Sequence, residues 1–210
     1  MAFAKLLKIN SENPEMRKIG QVVNVIADGG VVVYPTDTVY GIGCDLFNRK
    51  AIERVKQIKG IKSKSVDFSF ICHDLSQLSY YTKGVPTPIF KAMKRTLPGP
   101  FTFIVTASSK VPKILGVKKK TVGIRIPDHS TPKLIVQQLQ RPIITSSIHD
   151  DHDIAGYPTD PGEIFEKFNR LVDIVIDGGF GTNMHSTVLN CTDGDITLVR
   201  EGAGAFDILL

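Results

Sequence analysis

The sequence predicts a single α/β domain built on a twisted mixed sheet with flanking helices. Three observations carry that expectation. Segments of helical period alternate with short strand-like runs, yet several strands follow one another without a helix between them, which a purely parallel sheet does not allow. No Pro/Gly/Ser-rich linker, internal repeat or low-complexity segment divides the 210 residues, a length suited to one large domain. Hydrophobic residues at 42% against 22% charged supply a core and exclude a disordered chain.

The elements follow in order. Apolar residues recur at Ile19, Val22, Val23 and Ile26, so a helix is expected from Pro14 to Asp28, with Asn13 as N-cap and Gly29-Gly30 as its stop. The run from Val31 is continuously apolar, as in a strand buried on both faces, and breaks at Pro35 into a Thr-rich loop. Asn48 to Lys59 reads as a basic amphipathic helix on Ile52, Val55 and Ile58, ended by Gly60. Val66 to Cys72 alternates as a strand. Helices are expected from Asp74 and from Thr87-Pro88, then strands at Phe101 (FTFIV) and Val122 (VGIRI). A helix over Ser130 to Leu139 and a strand over Ile143 to Ser147 come next, then a helix to Asn169 opened by a capping box at Asp160 to Glu163. Strands at Val172, Ser186 and Ile196 complete the set, within one domain spanning 1–210.

The net charge of +5 conceals a segregation. Leu75 to Pro127 holds ten Lys and Arg and no acid, whereas Asp150 to Leu210 holds twelve acids and three bases. Clustered cations focus potential, so a basic cleft for a polyanion such as a nucleotide or RNA is expected. No apolar run reaches the roughly 18 residues of a spanning helix, and the N-terminal stretch turns polar within ten residues. The expectation is a cytoplasmic protein with no membrane contact. Cys44, Cys72 and Cys191 lie far apart in or beside apolar runs and read as buried small hydrophobes.

The common phosphate and hydrolase signatures, GxxxxGK[ST], GxGxxG, HExxH and GxSxG, are absent. What remains is a set of hydroxyl and basic residues in or beside strands: Thr36 to Thr38, Arg125, Ser146-Ser147, Ser186-Thr187 and Arg200. Ligands gather at strand termini in α/β sheets, and hydroxyls with guanidinium groups suit carboxylate and phosphate oxygens. His149-Asp150-Asp151-His152-Asp153 has the composition of a metal site but reads first as an exposed acidic loop. No metal ligands are assigned. Asp37 reads as a group that orders its loop.

Seven segments, PTDTVYGIG, the lysine of IKG, LPGPFT, TVGIRIP, the ITSS strand end, HSTVLN and VREGAG, together resemble the YrdC-like family of threonylcarbamoyl-AMP synthases and their relatives, over about Pro14 to Gly204. The resemblance implies a twisted mixed α/β sheet with a large basic cavity. It implies a reaction joining L-threonine, bicarbonate and ATP, with Mg2+ riding on the triphosphate, into threonylcarbamoyl-AMP for tRNA modification. By position, Thr36, Arg125 and Ser186 would bind the amino-acid substrate. Lys59, Thr121, Ser147, His149 and Arg200 would face the ATP or AMP-type nucleotide, with Lys59 and Ser147 as catalytic groups. Two positions depart from the synthase pattern: Ile61 stands where the family has arginine, and His149 where it has asparagine. That variation is similar to the YciO branch. Losing a guanidinium removes a planar fork that a lysine at 62 or 64 replaces only as a point charge. The alternative reading is a module that binds tRNA or double-stranded RNA in the basic cavity without making the adenylate. The aromatics of the basic stretch, Tyr80, Tyr81, Phe90, Phe101 and Phe103, read mostly as core.

Overall fold

In a computed structural model of the chain, residues 3–62, 68–112, 121–148 and 157–209 are described. The strands are β1 (Lys5–Lys8), β2 (Val32–Tyr34), β3 (Gly41–Asp45), β4 (Ser69–Ile71), β5 (Phe101–Thr106), β6 (Thr121–Arg125), β7 (Ile143–Ser147), β8 (Ile174–Asp177), β9 (Thr187–Asn190) and β10 (Thr197–Arg200). They form one sheet in the order β1, β8, β2, β3, β7, β4, β6, β5, β9, β10. Pairing is parallel for β1–β8, β2–β8, β4–β6 and β5–β9, and antiparallel for the rest, so the sheet is mixed.

The helices are α1 (Met16–Ala27), α2 (Arg49–Ile58), α3 (Leu75–Tyr81), α4 (Thr87–Thr96), α5 (Ser130–Leu139) and α6 (Pro161–Phe168). Their starts follow from short polar side chains. The Asn48 carboxamide accepts the Ala51 N–H at 3.0 Å and the Asp74 carboxylate accepts the Gln77 N–H at 2.7 Å. Asp160 accepts the N–H of Gly162 at 2.7 Å, so the cap found there is an Asx turn. The first helix begins later than expected. Asn10 Oδ1 accepts the N–H groups of Glu12 and Asn13, which holds that stretch as a turn, and Glu15 rather than Asn13 takes the cap position.

Two strands were not anticipated. β1 is an edge strand of sequence KLLK, exposed at three of its four residues, so it lacks a clear alternation. β3 reads GIGCD, and glycine weakens a strand signal. Here Gly43 is required, because a Cβ at that position would lie 2.2 Å from the Ile144 carbonyl oxygen of β7. The expected strand from Val66 is observed over Ser69–Ile71, and its first two residues lie outside the described segments.

Alternation in the strands sorts the core into two layers. Val31, Val33, Phe70, Ile144 and Val175 join one apolar cluster with Ile52 and Val55 of α2 and Phe168 of α6. Val32, Tyr34, Ile71, Ile143 and Ile174 face the other way, against Ile19, Val22 and Ile26 of α1 and Ile135 and Val136 of α5. That second layer covers only part of its face. The same face continues into β6, β5 and β9, and there it lines an open cavity. Among the described residues no helix is long and apolar enough to cross a membrane.

The cap of α5 is pH-sensitive. His129 Nδ1 accepts the Thr131 N–H at 3.2 Å, and burial holds the imidazole below its ordinary value of 6.5, against the opposing pull of Asp37 and Asp128. The unfolded chain therefore takes up this proton before the folded one, and stability falls as pH drops below about 6.5. His129→Asn supplies a capping oxygen in place of Nδ1 and is expected to flatten that part of the melting temperature against pH curve, measured from pH 7.5 to 5.

Candidate functional site

The cavity has a volume of about 410 Å³, within the range typical of small-molecule sites. Its floor is the sheet itself. In β5, Phe101, Phe103 and Val105 are buried in the core, while Thr102 and Ile104 line the cavity. In β6 the same alternation buries Val122 and Ile124 and turns Thr121, Gly123 and Arg125 to the cavity. Thr145 and Ser147 of β7, with Ser69 of β4, extend the polar floor.

Arg125 is the most constrained charge there. Its residue is 8% exposed. Nη2 donates to Thr36 Oγ1 at 3.3 Å and to Asp37 Oδ1, while Arg125 Nε and Asp37 Oδ2 are buried without hydrogen-bond partners. The Thr36 hydroxyl also donates to the Val39 carbonyl at 2.8 Å and accepts the Thr38 N–H at 3.0 Å. Its one donor and both acceptor sites are thus occupied by the loop and by Arg125. Thr36 orders the turn between β2 and β3 and braces Arg125.

The far wall comes from the C-terminal strands. Ser186 Oγ and Thr102 Oγ1 lie 2.9 Å apart, and the exposed Arg200 donates to the Ser186 carbonyl at 3.1 Å. Partial burial and the like charge of Arg125 hold the Arg200 guanidinium below its ordinary value, with Tyr157 opposing. Arginine nevertheless stays protonated at neutral pH. The cavity thus carries two guanidinium groups, one of them already paired with a carboxylate.

Of the residues singled out from sequence, Thr36, Thr121, Arg125, Ser147, Ser186 and Arg200 all line this one cavity. Lys59 is not among its lining residues; it takes the C-cap position of α2. Ile61 is half-buried and packs against the larger apolar cluster. His149, the rest of the His-Asp loop and Lys64 lie outside the described residues, as do Lys118 to Lys120. Cys44, Cys72 and Cys191 are buried thiols, and burial pushes Cys191 up to about 11. Of the aromatics of the basic stretch, Tyr81, Phe101 and Phe103 are buried, while Tyr80 is 55% exposed, with Lys110 Nζ 5.5 Å from its ring centre.

Sequence reasoning missed Ser69, Thr102, Thr145 and His185, which also line the cavity. The signal for Thr102 was present in the alternation of FTFIVT; Ser69 and His185 carry no comparable pattern.

Fold and site together define an α/β domain with a mixed sheet, one face of which lines a cavity carrying guanidinium and hydroxyl groups. The chain belongs to the Sua5/YciO/YrdC family, whose model, described as telomere recombination, matches residues 24–202. It is 35% identical over 206 residues to the uncharacterized protein YciO of Escherichia coli K12, covering 96% of this chain and 97% of that one. It is 31% identical over 196 residues to the threonylcarbamoyl-AMP synthase of Pyrococcus abyssi, covering 91% of this chain and 56% of the synthase. The crystal structure of E. coli YciO superposes with a TM-score of 0.91 at 34% identity, covering 99% of this chain and all of that one. P. abyssi Sua5 complexed with L-threonine gives 0.86 at 27% identity, covering 98% of this chain and 60% of Sua5.

Proposed function

We propose that the cavity binds an amino-acid-derived adenylate, with threonylcarbamoyl-AMP as the ligand of reference, and that the protein serves threonylcarbamoyladenosine modification of tRNA. The observation that carries this reading is the convergence of Arg125, Arg200 and Ser186 on one cavity, in a fold shared with a Sua5 that holds L-threonine. In this reading Arg125 and Ser186 take the amino-acid carboxylate, and Arg200, Thr121 and Ser147 take the nucleotide. Among the described residues no three carboxylate, imidazole or thiolate groups converge as a metal cage. Magnesium in this reading enters with ATP, as part of that substrate. Isoleucine at position 61 favours binding of the adenylate over its synthesis from ATP, because no guanidinium stands at that position to meet the triphosphate.

The test is incubation with MgATP, L-threonine and bicarbonate, following pyrophosphate and AMP separately, beside titration with AMP. Tight AMP binding with pyrophosphate release roughly 100-fold below that of a full-signature synthase is expected from two lost charge-assisted contacts. Release at the synthase rate would show that positions 61 and 149 do not control the chemistry. RNA binding is the second reading, favoured by the exposed Lys91, Lys94 and Arg95 of α4. Affinity for tRNA that is unchanged between low and high salt would count against it.

A further inference from the structure

The floor of the cavity contains a pair of hydroxyls whose polarity is set from below. Tyr34 is fully buried, and its phenol donates to Thr145 Oγ1 at 2.7 Å. Burial pushes the phenol well above its ordinary value, so that proton stays in place across the physiological range. Thr145 Oγ1 therefore accepts from behind and keeps its own O–H to donate elsewhere. Thr145 lines the cavity, and its hydroxyl meets no acceptor among the described residues.

Ser69 stands opposite Thr145 in the β4–β7 register, and its hydroxyl likewise has no partner among the described residues. Cross-strand neighbours on one face carry their Cβ atoms roughly 5 Å apart, so two such hydroxyls reach the same acceptor atom. On its other side Ser69 faces Gly123, where an added Cβ would lie 2.5 Å from Ser69 Oγ. The absence of a side chain at Gly123 is what leaves room for that hydroxyl.

We propose that Ser69 and Thr145, with Tyr34 as a positioning residue, form a subsite that donates two hydrogen bonds to an uncharged carbonyl oxygen of the ligand. Ser69 and Thr145 are neutral donors and suit a carbonyl, whereas the anionic ends of the ligand are better served by the charged groups of Arg125, two residues from Gly123 along β6, and of Arg200 on the far wall. Within the adenylate reading, on which this assignment rests, the group it takes is the carbamoyl C=O, which lies between amino acid and phosphate. AMP has no such group, so AMP and the adenylate separate the slot from the phosphate site.

The experiment is calorimetric titration of wild type, Ser69→Ala, Thr145→Val, Thr145→Ser, Tyr34→Phe and Gly123→Ala. The probes are AMP and a stable threonylcarbamoyl-adenosine analogue in which a sulfamoyl link replaces the phosphate. Ser69→Ala and Thr145→Val are each expected to weaken the analogue about tenfold, the effect of one lost hydrogen bond to a ligand, while AMP stays within about twofold. Thr145→Ser keeps the hydroxyl and should retain affinity. Tyr34→Phe should weaken the analogue alone, since it frees Thr145 to turn its hydrogen away. Gly123→Ala displaces only the end of a serine side chain, so it remains informative should Thr145→Val fail to fold. An equal loss for AMP would place phosphate in the slot, and unchanged affinity for the analogue would remove the slot altogether; either result overturns the proposal. Failure of wild type to bind both probes would instead bring down the adenylate reading, and the slot with it.

Discussion

Replacing Arg125 with alanine is expected to weaken ligand binding by roughly 10- to 100-fold and to lower the melting temperature by roughly 10 °C. The second effect follows from the partner left behind. The Asp37 side chain is 12% exposed, its Oδ2 is already unpartnered, and its Oδ1 accepts from Arg125 Nη2. Removing one member of a buried ion pair costs about 3–5 kcal/mol, because an uncompensated charge remains. In a domain of this size each kcal/mol shifts the melting temperature by about 2–4 °C. The first effect follows from the cavity, where Arg125 is the buried cation. Loss of a charge-assisted contact costs about 1.5–3 kcal/mol, or roughly 10- to 100-fold in affinity. The two consequences separate in the double variant Arg125→Met with Asp37→Asn. That variant should recover most of the stability, seen by thermal melting, and none of the binding, seen by titration with the sulfamoyl-linked threonylcarbamoyl-adenosine analogue. Recovery of both would mean that Arg125 serves only the fold.

Gly202→Ala should have the next largest effect. A Cβ at Gly202 would lie 2.3 Å from the His185 carbonyl oxygen and 2.6 Å from the Ser186 carbonyl carbon, all of it main chain that has little room to move. The Gly202 N–H bonds Thr187 Oγ1 at 2.9 Å, and Thr187 in turn donates to the Gly204 carbonyl at 2.6 Å. Pushing this segment away moves Ser186, and with it the carbonyl that holds Arg200. Overpacking of this kind costs about 1–3 kcal/mol and here also displaces the cavity wall, so a lower melting temperature should accompany a loss of AMP affinity of at least about tenfold. Gly20→Ala is the control. It lies inside α1 with nothing within 4 Å of the added atom, and should stabilise the protein by about 0.5–1 kcal/mol without touching binding.

Much of this architecture was legible in the residues. Asn48 and Asp74 mark their helix starts because a capping side chain acts over three residues. Ser130–Leu139 and Ile143–Ser147 appear with their expected bounds for the same local reason. β3 was not legible, since the need for Gly43 arises from a carbonyl of Ile144 about a hundred residues later in the chain. The site shows the same division. Hydroxyl and guanidinium groups in or beside strands pointed to one cavity, but the pairing of Arg125 with Asp37 spans 88 residues and carries no local pattern. Nor could the sequence show that the Thr36 hydroxyl is fully engaged by its own loop and by Arg125.

The order of the sheet also bears on how the chain reaches this form. β8, Ile174–Asp177, lies between β1 and β2, so strands made near the start of synthesis wait for one made near its end. A chain emerging from the ribosome therefore cannot complete its N-terminal edge until residue 177 is available, nor the cavity wall until β9 follows at Thr187–Asn190. Contacts of such long sequence separation slow folding and leave early strands unpaired in the meantime. The cavity is thus a late product of biogenesis, a property of the completed molecule rather than of any vectorially folded part of it.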